Sequence, residues 1–430
     1  MKNKITILLS LLAIGLHAQE IRLEEKEIID HLRNHEQEQI NFLEKTVNIN
    51  SGTLNLDGVR EVGMLYKKEL DALGFKTRWI SMPDSLNRAG HLFAELDGGS
   101  GKTILLIGHL DTVFEEEHKF QSFSRSGKNA SGPGANDMKG GNAVIIFALR
   151  ALKAAGKLDG KNIIVAFTGD EEKPGYPLSV SRHDLVEAGK KADIALGFET
   201  ASGMNYATVA RRGSSGWNLK VNGKQAHSSG IFSENTGAGA IFEAARILNT
   251  FYSDVKGDEL LTFNPGVILG GTKVNYNPDQ SAGTAFGKTN VVASELEVYG
   301  GLRFISEKQK EKARSKMKEI VKNNLPQTSA TITFSDSYPA MEPTKGNMGL
   351  LEVLDEISQN LGYGEVEAYD PGRRGAADIS FIAEYVDGLD GLGAMGSGAH
   401  APGETINLET FIPLTERASL LIHRLAANKI

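Results

Sequence analysis

Cysteine is absent from all 430 residues. That excludes disulfides, thiol redox chemistry and a lipid-modified cysteine at a processed N-terminus. Positive charge is also scarce. The 47 Lys and Arg are outnumbered by 54 Asp and Glu, giving a net charge of −7, and the basic residues are dispersed. No basic stripe exists that could neutralise phosphates, which excludes nucleic acid as a partner and leaves metals or cationic groups as better matches. Long apolar runs are limited to one, Ile5 to Leu16, shorter than the roughly 20 residues that span a bilayer. Lys2 and Lys4 precede it and Ala18 follows, the three-part layout of a secretory signal peptide over residues 1–18. Its removal takes two lysines and no acid, moving the charge to about −9. A periplasmic or secreted protein, free of the membrane once the leader is gone, is expected.

What remains is ordinary globular composition, 40% hydrophobic and 23% charged in 46.4 kDa. A chain this long exceeds one compact core and predicts about two domains. Residues 22–48 and 57–74 carry Leu, Ile and Val at helical spacing. "HLFAELDG" reads as a strand, and "TILLIGHL" as a near-continuous apolar strand buried on both faces. From Gly141, residues Val144, Ala148, Leu149 and Leu152 mark a helix that Gly156 can stop. Strands "NIIVAFTG" and "DIALGF" follow. This alternation predicts an α/β layered sheet with helices on both faces. After "ARRG" the rhythm changes: Trp217, Leu219 and Val221 alternate as in a half-exposed strand. A helix from about Gly237 to Tyr252, strands "GVILGGTKV" and "NVVASELEVYGGLRFI", a Lys-rich helix at 307–324 and strand "ATITFSD" complete a smaller α+β unit. The predicted architecture is a discontinuous α/β domain, 19–211 and 339–430, with a second domain inserted at 212–338.

In an open α/β sheet, ligands bind beyond the carboxyl ends of the strands. This chain keeps its acids and histidines there. His109 and Asp111 close one strand, Asp137 lies in "SGPGANDMKGG", Glu171 and Glu172 follow "IIVAFTGD", Glu199 ends "ALGF", and His400 lies in "GSGAHAPGE". Each alone has a mundane explanation, and "DEE" could be the acidic first turn of a helix. Together, two imidazoles and several carboxylates suit Zn²⁺, which takes N and O ligands. His109 and Asp111 also share a side of their strand, because residues i and i+2 face the same way. The Asp111 carboxylate is therefore expected to accept a hydrogen bond from the His109 ring and fix its tautomer.

"GHLDTVF", "GPGANDMKGGNAV", "TGDEEKPG", "GFETASG", "GKQAHSSG", "TNVV" and "GSGAHAPGE" occur in that order. The set resembles the co-catalytic di-zinc peptidase family that includes glutamate carboxypeptidase, aminoacylase and succinyl-diaminopimelate desuccinylase. The resemblance spans nearly the whole mature chain. It implies a catalytic α/β domain interrupted by a small α+β lid or dimerisation domain, and two Zn²⁺ per chain. His109 and Glu199 would hold one ion, His400 and Glu172 the other, with Asp137 as the bridge. Glu171 becomes the general base. Met138 stands where many relatives have Asp, and the Asp137–Met138 peptide is expected to be cis.

Further roles come only from the resemblance. His227 would reach the partner subunit's active site across a homodimer and stabilise the oxyanion. Asn290 and Arg303 match substrate-holding positions, Arg303 being suited to grip a free carboxylate through two bonds. Arg211 matches a substrate-contacting Arg of desuccinylase-like members, with a surface Arg as the alternative. Glutamate-releasing relatives have Arg before the Pro-Ala that leaves the lid; here Tyr338 stands there, against a strict glutamate preference. The expected activity is hydrolysis of a peptide or N-acyl amide bond beside a free carboxylate, carboxypeptidase-type first and N-acyl-amino-acid deacylation second. A catalytically silent peptide-binding relative is the third reading, and it conflicts with the presence of the base and every ligand.

Overall fold

The computed structural model describes residues 21–99, 101–278 and 280–426. The expected leader, 1–18, lies outside the described residues. Among the described residues, no helix is long and apolar enough to cross a membrane.

A six-stranded mixed sheet forms the main layer, in the order Lys76–Ile80, His91–Leu96, Asn162–Thr168, Thr103–His109, Ile194–Gly197, Gly388–Leu389. Thr103–His109 pairs in parallel with both Asn162–Thr168 and Ile194–Gly197. These three strands therefore end at one edge, and the loops leaving them carry Asp111, Glu171, Glu172 and Glu199. The near-continuous apolar run of Thr103–His109 is explained by its position between two cores. Ile104 and Leu106 pack into one, with Leu149 and Leu421, while Leu105 and Ile107 pack into the other, with Leu185 and Ile382. Helices thus cover both faces, as the α/β pattern requires.

The periodic stretch 22–48 is two helices, Leu23–Asn34 and Glu36–Val47, broken at His35. Residues 170–172 are not helical, and the next helix is Leu178–Ser181. "DEE" is accordingly a bend and not the first turn of a helix. Edge strands Lys76–Ile80 and Gly388–Leu389 lack the long apolar pattern and are not legible from it.

Between the two parts of this layer lies an antiparallel four-stranded sheet, ordered Thr262–Gly271, Glu295–Phe304, Gly213–Gly223, Thr328–Asp336. Helices Gly239–Thr250 and Glu307–Lys322 pack on it around a separate core of Trp217, Leu219, Val221, Ile247, Val298 and Met317. The stretch read as one strand through "GVILGGTKV" divides at Thr272, and Lys273–Asn277 turns away to pair with Ala282–Phe286.

Candidate metal centre and substrate cleft

His109 ends its strand 1% exposed. Its Nδ1 donates to the carbonyl of Asp111 at 3.0 Å, while the Asp111 carboxylate stands 3.4 Å away. The expected carboxylate thus faces the same ring nitrogen, with the Asp111 carbonyl nearer to it. The Asp111 carboxylate is engaged elsewhere: Oδ1 accepts from the backbone N–H of Glu171 at 3.0 Å, and Oδ2 from Glu172 N–H at 3.1 Å and Thr53 Oγ1 at 2.7 Å. Asp111 thereby holds the Glu171–Glu172 bend against the His109 strand. The tautomer follows all the same, because a carbonyl can only accept. Nδ1 carries the proton, so in the neutral ring Nε2 presents a lone pair.

That Nε2 is buried with no hydrogen-bond partner, as is Glu172 Oε1. His109 Nε2 lies 3.4 Å from Asp137 Oδ1 and 3.7 Å from Glu199 Oε1. His400 Nε2 lies 3.2 Å from Asp137 Oδ2 and 3.1 Å from Glu172 Oε2. The two oxygens of Asp137 thus face different imidazoles, each with a further carboxylate. His109, Asp137 and Glu172 bring ligand atoms within 4.8 Å of one another, and so do His109, Glu171 and Glu199. Unpaired buried donors and an N/O set fit a divalent cation.

The electrostatics match that reading. Burial and the nearby Asp137 charge push Glu199 up to about 7. Burial, then the Glu199 charge, holds Glu171 well above the carboxylate range, while burial also raises Glu172. Burial opposes ionisation of Asp137, yet the two imidazoles outweigh it and hold its carboxyl low. Hydrogen bonds to Asp137 and Glu172 push His400 up to about 11. His400 has φ +64°, in the left-handed region that side chains rarely adopt. The Asp137–Met138 peptide is cis, as the resemblance implies.

Several supports carried no sequence signal. Asn142, on helix Lys139–Ala154, donates to the His109 carbonyl at 2.6 Å. Glu404 accepts from the N–H groups of Asn136 and Asp137 at 2.7 and 2.9 Å, fixing the loop that presents Asp137. Buried Arg182 joins Asp170 at 2.5 Å to Asp378 at 2.7 Å just behind Glu171. Tyr338 donates to the Glu171 carbonyl at 2.8 Å. Asn142, Asp170 and Glu404 lay inside quoted motifs without standing out there, whereas Arg182 and Asp378 lay outside them.

The expected substrate residues divide. Arg211 is 3% exposed, so it is not a surface residue; it pairs with Asp390 at 2.6 Å and donates to Gly375 O at 2.8 Å, leaving Nη2 unpartnered. His227 and Asn290 lie side by side on the inserted segment, where Ser228 N–H donates to Asn290 O at 2.9 Å, and both are exposed. Among the described residues, no hydrogen bond or ion pair joins His227 to the metal-site cluster; its Nδ1 meets Ser229 Oγ at 2.8 Å. Arg303 lines a cleft with Arg212, Arg373 and Arg374.

Comparison with known proteins agrees with this geometry. The chain is 28% identical over 399 residues to carboxypeptidase G2 of Pseudomonas sp. (strain RS-16), covering 91% of this chain and 90% of that protein. It is 24% identical over 359 residues to succinyl-diaminopimelate desuccinylase of Gluconobacter oxydans (strain 621H), covering 80% and 87% respectively. Among solved structures, its fold is similar to aminopeptidase PepT of Bacillus cereus, with a TM-score of 0.70 at 19% identity over 91% of this chain and 99% of that one. An M20 family metallo-carboxypeptidase from Sulfolobus solfataricus matches with a TM-score of 0.63 at 17% identity, over 90% and 98%. Residues 105–424 match the model of peptidase family M20/M25/M40, a family of metal-dependent hydrolases, and the chain belongs to that family.

Proposed function

We propose that the chain is a di-zinc carboxypeptidase-type hydrolase, cleaving a peptide or amide bond beside a free carboxylate. The observation that carries this is Asp137, whose two oxygens face His109 and His400, each with its own further carboxylate. His109 and Glu199 would hold one ion and His400 and Glu172 the other. Bound there, the ions supply Lewis acidity and lower the pKa of a water. Glu171, raised by burial, accepts a proton from the attacking water and returns it to the leaving amine. Asp111 and Tyr338 keep that carboxylate in place through the Glu171 backbone. Arg303 grips the substrate carboxylate, and Asn290 is a further substrate contact. The exposed His227 would complete the site of a second subunit in a homodimer, and the leader pattern favours export.

Deacylation of N-acyl amino acids is the second reading. It is supported by the desuccinylase relative and by Tyr338, which removes an Arg from the glutamate-releasing pattern.

The test uses mature, zinc-loaded protein on N-acyl dipeptides and N-acetyl amino acids with free or amidated C-termini. Hydrolysis of the free acids is expected, with amidation strongly reducing kcat/KM. Glu171→Gln should retain both metals by elemental analysis while lowering kcat and kcat/KM together, by about 10²–10⁴. Equal turnover of amidated substrates, or normal turnover by Glu171→Gln, overturns the reading.

A further inference from the structure

A backbone group that bonds one ring nitrogen of a histidine sets the tautomer, because an N–H can only donate and a carbonyl can only accept. At His109 a carbonyl takes the Nδ1 proton and leaves the Nε2 lone pair for a cation. At His227 the polarity is reversed. Its Nδ1 accepts from the backbone N–H of Ser229 at 3.3 Å and meets Ser229 Oγ at 2.8 Å. The proton of the uncharged ring therefore sits on Nε2, and His227 presents a donor where His109 presents an acceptor.

Buried His91 shows what such a ring takes. Its Nδ1 accepts from Gly169 N–H at 3.0 Å, and its Nε2 donates to the Ser181 carbonyl at 2.8 Å. Among the described residues, His227 Nε2 has no such oxygen. The turn alone does not assign a role, since His118 makes it too, accepting from Phe120 N–H at 3.1 Å. The His118 ring, however, packs against Phe114 with ring centres 5.2 Å apart, whereas the His227 ring is exposed and clamped by a hydroxyl as well.

The surrounding loop fixes where that donor points. Ser228 N–H donates to Asn290 O at 2.9 Å, Val292 N–H to Ala226 O at 2.9 Å and Gly230 N–H to His227 O at 2.9 Å. Ring, tautomer and direction are thus preset before a substrate arrives. The tautomer also narrows the chemistry. A ring nitrogen that carries a proton has no lone pair for a zinc ion or for a water proton, and an N–H bonds most strongly to an oxygen that is gaining negative charge.

We propose that Ser229 is the positioning residue of His227, holding it as the Nε2–H tautomer so that it serves the shared site as a hydrogen-bond donor to a negatively charged substrate oxygen, and neither as a metal ligand nor as a base. This rests on the reading above that His227 completes a second subunit's site.

The zinc-loaded protein, labelled with ¹⁵N-histidine, is examined by nitrogen–proton correlation spectroscopy at about pH 8, where ordinary imidazoles are uncharged. The His227 signals are assigned by their loss in His227→Gln. The Nε2–H pattern is expected in the wild type, and a shift toward averaged tautomers in Ser229→Pro, which lacks both the N–H and the hydroxyl. Ser229→Ala keeps the N–H; it should lower kcat about 2- to 10-fold at unchanged KM, metal content and Tm, the scale of one hydrogen bond, and Ser229→Thr should restore the rate. An Nδ1–H pattern in the wild type overturns the proposal, as does a Ser229→Pro protein with unchanged tautomer and kcat. A Ser229→Ala loss that follows Tm, or that Thr does not restore, overturns it too, because the residue is then merely structural. The two readings fail separately. Without hydrolysis of any substrate the hydrolase falls while the His227 signature still decides the tautomer; hydrolysis by a protein with the Nδ1–H pattern sinks this inference alone.

Discussion

With no cation between them, the carboxylates of the centre compete for protons. Glu199 is pushed from 4.5 up to about 7, by burial first and the Asp137 charge second. The folded state therefore binds a proton that the unfolded state has released, and metal-free stability falls as pH rises from about 4.5 to about 7. His109, also raised, acts in the same direction above 6.5, and His400 keeps its proton until about 11. A bound metal replaces those protons. The gain in Tm on metal loading should thus be larger at about pH 8 than at about pH 5, read by thermal unfolding of stripped and loaded protein. Equal gains would remove Glu199 and His109 as ligands. At this scale the sequence was informative where a polar residue ended an apolar run, as for His109 and Glu199. For Asp111, two-residue spacing gave the side of the strand that faces His109, but it says nothing about the backbone N–H groups of 171 and 172 that also bond the carboxylate.

A strand and a helix meet at the His109 carbonyl. Asn142 donates to it, and the Asn142 Oδ1 lies so close to Gly108 that an added Cβ would stand 2.1 Å from it. Gly108 is thus required by close approach, not by its backbone angle. Gly108→Ala should cost about 1–3 kcal/mol of stability through overpacking, shown by a lower denaturant midpoint at unchanged slope. Metal affinity should fall with it, because Asn142 positions the strand end that carries His109. Affinity unchanged in a destabilised protein would place the strain away from the ligand. The long buried strands and amphipathic helices were legible because burial on two faces or one stripe imposes a pattern on every residue. The edge strand Lys76–Ile80 and the break at His35 were not, since edges and short turns impose little.

For the molecule as a whole, the proposed homodimer makes each centre depend on two chains. His227 is exposed and, among the described residues, bonded to nothing in the metal cluster of its own chain, so His227→Ala and Glu171→Ala homodimers should both be inactive. Co-expressed, they should regain activity, approaching one working site per mixed dimer, because the Glu171→Ala chain carries a sound His227 for its partner. Demonstrated subunit exchange without recovery would end the in-trans role. The sequence by itself determined the family, the alternation of elements and the loops that bear the ligands, because residue type and period are local properties that folding does not need to reveal. Only the tertiary structure decided which atom faces which. It divided the Asp137 oxygens between His109 and His400, buried Arg211 against Asp390, and gathered Arg212, Arg303, Arg373 and Arg374 into one cleft. Those four arginines come from three separate stretches of the chain, and no local pattern could register a charge cluster that exists only once those stretches are packed together.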